Sequence, residues 1–374
     1  MNEIIIYIEE IINDGRQQSK VRHKMSDIIG IVLFAMLANA NEWEEIAGFA
    51  KEHENFLRKY LTLENGIPSH DTIRRVYGMI NPEILQQIQN KWNELLNNDE
   101  GAKLKKIINI DGKTMRDSGR GDEKPHHVVS AWSKEDGFCL GQKAVHEKSN
   151  EITAIPELLK TIQIKNQIVT IDAMGTQSEI ATQINKQHGY YVLAVKRNQL
   201  SLYEDITGYF DDVQLCESVK SSGNYLKTIE KAHNRIETRE YYQTSDILWL
   251  NNKKNWTGVK SVGMVRNTYY TGNTVITEQR YYICSIMTDI ALFERAVRGH
   301  WAIESMHWHL DVTFREDYNT TIDKNAALNL NIMRKLCLSI LKLIEVREKK
   351  TSLKLKRFFI SMNPERYLAA ILDS

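Results

Sequence analysis

The order of patterns between residues 106 and 195 constrains the fold most. Three strand-like runs, separated by turn residues, come first: Lys106–Asp111, His127–Trp132 and Phe138–Val145. Alternating helical and strand-like runs follow: Glu151–Ile164, Gln167–Asp172, Gln177–His188 and Tyr190–Val195. Three consecutive strands can form an antiparallel meander, whereas strand–helix–strand units form right-handed parallel crossovers. The order therefore predicts a mixed α/β sheet with helices on its faces.

The rest of the chain divides by pattern into further units. Residues 1–100 are helical in pattern and end in a polar linker, and 101–214 carry the element order above, which is that of the ribonuclease H-like topology. Residues 215–287 are rich in strand formers and are predicted to be a β-rich insertion. Residues 288–374 are predicted to be helical, beginning with a long helix from Ile290 to about Phe314. Such a fold does not by itself name a function.

The total charge and one local basic stretch give different indications about nucleic-acid binding. Lys and Arg number 49 against 48 Asp and Glu, which disfavours a wholly basic nucleic-acid binder. Residues 334–357, however, carry nine Lys or Arg against two Glu, a stretch suited to a phosphate backbone or, alternatively, a solvated helix face.

The sequence lacks the cysteine patterns of zinc and disulfide proteins and the apolar segments of membrane and exported proteins. The cysteines are spread singly, without the spacing of a zinc module or a disulfide framework. The longest apolar run, Ile28–Ala38, is too short to span a bilayer, and the first residues lack the basic start of a signal peptide. We therefore expect a soluble cytoplasmic protein that does not engage a membrane.

Two acids stand where apolar strands are predicted to end. Asp111 follows Ile107–Ile110, and Asp172 follows Ile168–Ile171. In open α/β sheets, ligands bind beyond the carboxyl ends of the strands. An aspartate at a strand end is commonly only a turn or cap residue. Two at matching positions in this topology instead indicate a shared site, where their repulsion would be relieved by a divalent cation.

A third acid is expected from the helix that begins at Ile290. One face of this helix carries titratable residues at steps of four, three and four: His300, Glu304, His307 and Asp311. An exposed ion-pair face is the alternative interpretation. Glu304 is the preferred third acid, with Glu316 and Asp317 as rivals.

Three carboxylates favour a hard divalent cation, Mg²⁺ or Mn²⁺, because these ions prefer oxygen ligands. Two such ions about 3.5–4 Å apart would activate a water or 3′-hydroxyl and stabilise the leaving oxygen in an in-line displacement at phosphorus. The spacing of His300 and His307 is not that of a zinc HExxH motif. The two imidazoles are therefore assigned to contacting phosphate or orienting a carboxylate.

At these residues the chain resembles the insertion-sequence transposases of the DDE class, in the branch that includes the H-repeat-associated proteins. The most specific segments are Ile110–Arg116, His127–Trp132, Lys148–Pro156, Thr170–Gln177 and His300–Glu304 with His307 and Trp308. The resemblance implies that Asp111, Asp172 and Glu304 coordinate the metal and are the catalytic residues. It also implies that residues 1–100 are the family's associated N-terminal helical region, which we expect to bind DNA.

The function implied by this resemblance is cleavage of an element's ends followed by strand transfer into target DNA. Its partners would be terminal inverted repeats and target DNA, bound by a homodimer. The alternatives are a catalytically silent DNA-binding relic and a structure-specific nuclease on the same fold. Related cut-and-paste enzymes carry a Tyr, Arg, Glu, Lys signature around the third acid. Here His300 holds the Arg position and Asp311 the Lys position, and this departure argues against assuming a hairpin-forming cleavage pathway.

Several basic residues are candidates for contacting DNA. Those expected near the cut site are Lys113, Arg116, Lys196, His233, Arg235, Arg239, His300 and His307. The alternative for the first six is a solvated surface position. In the N-terminal region, Pro68 and Ser69 signal the start of a short helix that presents Arg74 and Arg75. This helix could recognise DNA or could simply pack, with its arginines in solvent.

Overall fold

The computed structural model describes residues 2–96, 106–119, 124–145, 150–232, 235–272, 274–346 and 351–372. The first range is helical, as predicted, with α1 Asn2–Ile11, α2 Met25–Leu37, α3 Trp43–Glu52, α4 Glu54–Leu57, α5 His70–Gly78 and α6 Pro82–Leu96. Helix α2 is apolar around nearly its whole circumference and is buried along its whole length, as such a pattern requires. It forms the centre of this helical region.

The predicted element order is confirmed in the next part of the chain. The strands are β1 Ile107–Met115, β2 His126–Ser133, β3 Phe138–Val145, β4 Ile168–Ile171 and β5 Tyr190–Val195, and the helices between them are α7 Glu151–Thr161 and α8 Ser178–Lys186. Strands β1 to β3 form an antiparallel meander, and β4 pairs in parallel with both β1 and β5. This is the ribonuclease H-like arrangement.

The strand-rich segment extends this sheet. Helices α9 Leu200–Asp211 and α10 Val213–Ser221 precede β6 Tyr225–Ala232, β7 Arg235–Thr244, β8 Ser261–Thr271 and β9 Thr274–Cys284. Strand β9 pairs antiparallel with β5, which gives the described residues a nine-stranded sheet in the order β3-β2-β1-β4-β5-β9-β8-β7-β6. The sequence did not predict β6, whose Lys and Glu residues hide its strand pattern, or α10.

The C-terminal part is helical and covers one face of the sheet. It comprises α11 Ile290–Trp308, a π-helical turn at His309–Thr313, α12 Lys324–Leu343, α13 Leu353–Met362 and α14 Pro364–Leu372. Helix α11 lies across β1, β4 and β7, while α12 packs between the N-terminal helices and β3. No helix within the described ranges is both long and apolar enough to cross a membrane.

The structure corrects the interpretation of residues 334–357 as a surface for phosphate at three of their cations. Arg334, Lys335 and Arg357 are almost completely buried. Arg334 pairs with Glu316, and Lys335 donates to the Ser130 and Gln142 side chains at 2.7 and 2.6 Å. These cations therefore join α12 and α13 to the interior. Residues 347–350, with three more cations of the stretch, lie outside the described residues.

Arg357 connects three separate segments, and its loss should be measurable. Its guanidinium donates to the backbone carbonyls of Met36 and Thr313 and to Asn41 Oδ1, and it lies 4.2 Å from the centre of the Phe314 ring. Arg357→Met should lower the free energy of unfolding by about 2 kcal/mol, because buried oxygens of Met36, Thr313 and Asn41 lose their hydrogen bonds from the guanidinium. Urea unfolding followed by circular dichroism measures this change.

The matched control for Arg357→Met is Arg366→Met, which removes an exposed cation from α14. This control should change the free energy of unfolding by less than about 0.5 kcal/mol. Equal effects of the two substitutions would contradict the linking role of Arg357.

Candidate active site

Asp111 and Asp172 stand side by side because β1 and β4 are parallel. Their pairing ends at Ile110 and Ile171, and each chain continues into the acid. Backbone N–H groups orient the carboxylates: Gly112 donates to Asp111 Oδ1 at 2.9 Å, and Gly175 donates to Asp172 Oδ1 at 3.1 Å. The structure corrects one detail. Asp111 lies within β1, which continues to residue 115 because it still pairs with β2.

Helix α11 brings the third acid to the same place. A cavity of about 670 Å³ is lined by Asp111, Asp172 and Glu304 together. The rival acids Glu316 and Asp317 do not line it: Glu316 is buried against Arg334, and Asp317 pairs with Lys113 and Arg116. Among the expected acids of the described chain, Glu304 is thus the one that shares a cavity with both aspartates.

Two histidines on the same face attach α11 to the strands of the acids. His300 Nδ1 lies 3.0 Å from Thr170 Oγ1, whose hydroxyl donates to Asn109 on β1 at 2.8 Å. His307 Nδ1 lies 3.7 Å from Asp111 Oδ2. Burial lowers the pKa of His300 to about 4 and that of His307 to about 3. Both imidazoles are therefore neutral near pH 7, so neither offers a cation to a phosphate.

The carboxyl group of Asp111 has a raised pKa. Burial, and then the carboxylates of Asp172, Glu151 and Glu304, raise the pKa of Asp111 to about 7, although the hydrogen bond from Gly112 opposes this. A divalent cation would offset the same repulsion, and its preferred ligands are carboxylate oxygens. The donor set therefore fits Mg²⁺ or Mn²⁺. Within the described ranges, however, no three acidic, histidine or cysteine side chains are already arranged as a ligand shell.

A fourth carboxylate, not predicted from the sequence, lies beside the triad. Glu151 is the first residue of α7, and its Oε1 lies 2.7 Å from His127 Nε2. The other ring nitrogen of His127 lies 2.8 Å from Thr114 Oγ1. A Cβ at Gly112 would collide with both Glu151 and His127. The signal in the sequence was a capped helix start after the third strand, with an acid at its first position.

The structure corrects the expectation that Lys113 and Arg239 face a phosphate. The Lys113 ammonium is enclosed by three carboxylates. Arg239 is buried, pairs with Glu230 at 2.8 Å and Glu237 at 2.7 Å, and lies 5.0 Å from the centre of the Trp301 ring. Both side chains are already neutralised inside the protein.

The other basic candidates are placed differently. Lys196 is exposed and lines the cavity of the acids, together with Arg197 and Arg280, which the sequence argument had not selected. Arg116 is exposed at the end of β1, and Arg235 is half exposed over the Tyr269 ring. His233 lies outside the described residues.

Arg74 and Arg75 are exposed on α5, which begins after a Ser69 cap as predicted. They border a separate groove between α3, α5 and the segment 320–323. These two arginines therefore do not belong to the cavity of the acids.

Comparison with known proteins identifies the family of this chain. Residues 8–93 match the family described as DDE_Tnp_1-associated, and residues 102–340 match the family described as Transposase DDE domain. The chain is 37% identical to "Putative transposase YncI" of Escherichia coli O157:H7, covering all of this chain and 95% of the relative. It is 36% identical to "H repeat-associated putative transposase YhhI" of Escherichia coli K12, covering 97% and 96%.

One shorter relative carries a name that describes it as inactive. The protein named "Inactive transposase YbfQ" of Escherichia coli K12 is 49% identical over 63 residues, which are 17% of this chain and 75% of the relative. The two family matches and the full-length relatives nevertheless decide the classification: the chain belongs to the DDE transposases, in the H-repeat family.

Proposed function

We propose that this protein cuts DNA at the ends of an insertion sequence and joins the freed 3′-hydroxyl to target DNA, with Asp111, Asp172 and Glu304 as catalytic residues. The observation that supports this most is one cavity lined by all three carboxylates. The three carboxylates come from three separate parts of the chain. Their mutual repulsion lowers stability, so their clustering indicates a function.

The side chains divide the work in this proposal. Asp111, Asp172 and Glu304 would hold a pair of divalent cations, Mg²⁺ or Mn²⁺. Bound there, the ions supply the Lewis acidity that activates the attacking oxygen and stabilises the leaving oxygen. His300 and His307, as neutral rings, keep α11 against the strands so that Glu304 stays opposite the aspartates.

DNA would approach along the exposed basic rim of the cavity. Lys196, Arg197 and Arg280 line it beside the acids, and Arg116 lies exposed at the end of β1. Because phosphate contacts fix the register of a protein on DNA, these residues would position the scissile bond. Two copies of the chain are proposed to act on the paired ends of one element.

The test uses the purified full chain, Mg²⁺ and labelled DNA from either side of its gene, where inverted repeats would mark the substrate. The proposal expects nicks at the repeat ends and strand-transfer products with added target DNA. Binding to the ends in Ca²⁺ without cleavage in Mg²⁺ would identify a silent relic instead. Cleavage that is indifferent to the end sequence would identify a structure-specific nuclease.

Gly112 should be needed at its position beside the first acid. In Gly112→Ala, the added methyl group would push Glu151 and His127 away and disturb the hydrogen bond to Asp111. End cleavage should fall by about 10- to 100-fold, the usual loss when a group supporting a metal ligand is displaced. Initial rates of nicking at saturating Mg²⁺ measure this loss.

Gly48→Ala is the matched control for this substitution, since a Cβ at position 48 meets no atom within 4 Å. Gly48 lies inside α3, so alanine there should leave cleavage unchanged and raise helix stability slightly. Cleavage by Gly112→Ala at the wild-type rate would show that the approach of Glu151 is not required.

The arginines of α5 should contribute to DNA affinity rather than to cleavage chemistry. If both contact phosphate, Arg74→Gln with Arg75→Gln should weaken binding at every sequence and reduce the slope of log K against log salt by about 1.8. Fluorescence anisotropy with Ca²⁺ over a salt series measures both effects. Lys160→Gln, which removes an exposed cation of α7, is the control, and an unchanged slope in the arginine double variant would assign α5 to packing alone.

A further inference from the structure

The Lys113 ammonium lies inside a ring of acids close to the catalytic cavity. It is 2.7 Å from Asp311 Oδ1, 2.9 Å from Asp317 Oδ1 and 3.4 Å from Glu316 Oε2. Only a tenth of its side chain is exposed. A lysine so placed has its charge satisfied from several sides, and little of it remains to attract a phosphate.

The three acids all follow the helix that carries Glu304. Asp311 lies in the π-helical turn that continues α11, and Glu316 and Asp317 come directly after it. Glu316 is itself fixed, because it accepts hydrogen bonds from Asn331 at 2.9 Å and Arg334 at 3.2 Å on α12. The segment that follows the C-terminal end of α11 is therefore held to α12 through Glu316. Lys113 reaches the same carboxylate from strand β1.

Lys113 connects this point to the first catalytic acid. Because side chains alternate along a strand, Lys113 and Asp111 project from the same face of β1. Asp311 follows Glu304 by seven residues and lies in the π-helical turn that continues α11. The ion pair between Lys113 and Asp311 therefore joins the strand of the first acid to the helix of the third.

We propose that Lys113 is a positioning residue for the acid site: by binding Asp311, Glu316 and Asp317 it fixes α11 in register with β1 and so sets Glu304 opposite Asp111. This inference rests on the proposed function, because it assigns the acids to a shared metal site. It replaces the expectation that Lys113 contacts DNA. The role is separate from the His307 contact, which attaches the same helix to Asp111 itself.

The test measures cation binding by the full chain without DNA. Isothermal titration with Mn²⁺ compares the wild type with Lys113→Met, Lys113→Arg and Asp311→Asn. Lys113→Met should weaken Mn²⁺ binding by about 10- to 100-fold, as other losses of support for a metal ligand do, and Lys113→Arg should restore part of it. Asp311→Asn leaves Lys113 two carboxylates, so it should stay folded and weaken binding less.

A double variant tests whether the two residues act through each other. With Lys113 already replaced, Asp311→Asn should cause little further loss of Mn²⁺ affinity, because the contact between the two residues is already absent. Independent, additive losses would overturn the proposed link. Circular dichroism confirms that each variant compared is folded.

DNA binding separates this role from a phosphate contact. The salt dependence of binding to a short labelled duplex in Ca²⁺ should be unchanged in Lys113→Met, whereas Arg116→Met, which removes the exposed cation nearby, should reduce the slope by about 0.9. A reduced slope with wild-type Mn²⁺ affinity in Lys113→Met would overturn the proposal.

Absence of Mn²⁺ binding by the wild type would overturn both this proposal and the metal site. Absence of cleavage alone, with the Mn²⁺ results as expected, would count only against the proposed function.

Discussion

Asp111→Asn, Asp172→Asn and Glu304→Gln should each reduce end cleavage by at least about 1,000-fold, because each removes a carboxylate that is proposed to hold the catalytic cations. The three carboxylates line one cavity, and none of the other acids expected from the sequence does so. The measurement is the rate of nicking of labelled element-end DNA in Mg²⁺ and in Mn²⁺, at protein concentrations that saturate the DNA.

DNA binding supplies the control for these variants. Removing a carboxylate from the cavity also removes repulsion of phosphate, so affinity for end DNA in Ca²⁺ should stay equal or rise. Asp205→Asn, which changes an acid on α9 that holds the Asn251 loop, should cleave at the wild-type rate. Cleavage that survives Asp111→Asn would remove Asp111 from the catalytic set.

The pairing of the first two acids could be predicted from local patterns. An apolar strand followed by an acid occurs twice, and the strand–helix–strand order predicts that such strands are parallel. The helix of Glu304 could be predicted from the periodicity of its polar face. The attachment of β9 to β5 could not, because any free edge of a sheet can accept a further strand and the choice depends on distant packing.

Buried charges limited the prediction most. Lys and Arg are usually exposed, so a basic stretch in a sequence suggests a surface. Lys335 and Arg357 are buried beside Ser130 and the Met36 carbonyl, partners that are more than 200 residues away in the chain. Likewise, nothing in the sequence around Lys113 indicated that its ammonium forms an ion pair with Asp311. Such pairings depend on tertiary structure, which local sequence patterns do not contain.

The buried pair of Glu316 and Arg334 should dominate the response of stability to a single substitution. Glu316 is inaccessible to solvent and faces Arg334 at 3.2 Å and Lys113 at 3.4 Å. Glu316→Gln keeps the shape of the side chain but leaves the buried Arg334 guanidinium without its counter-charge, a change that typically costs about 3–5 kcal/mol. Urea unfolding at pH 7 measures the difference. Glu304→Gln, at an exposed position, should change the free energy of unfolding by less than about 0.5 kcal/mol.

Acid should remove the difference between wild type and Glu316→Gln. Burial alone would raise the pKa of Glu316, but Arg334, Lys113 and Lys335 outweigh it and hold the pKa below its usual value. A lowered folded pKa gives stability that is complete above the unfolded pKa, about 4.3, and is lost as the pH falls through the folded value. The two proteins should therefore converge at low pH. A difference that persists unchanged below the folded pKa would show that hydrogen-bond geometry, and not the charge of Glu316, stabilises this part of the fold.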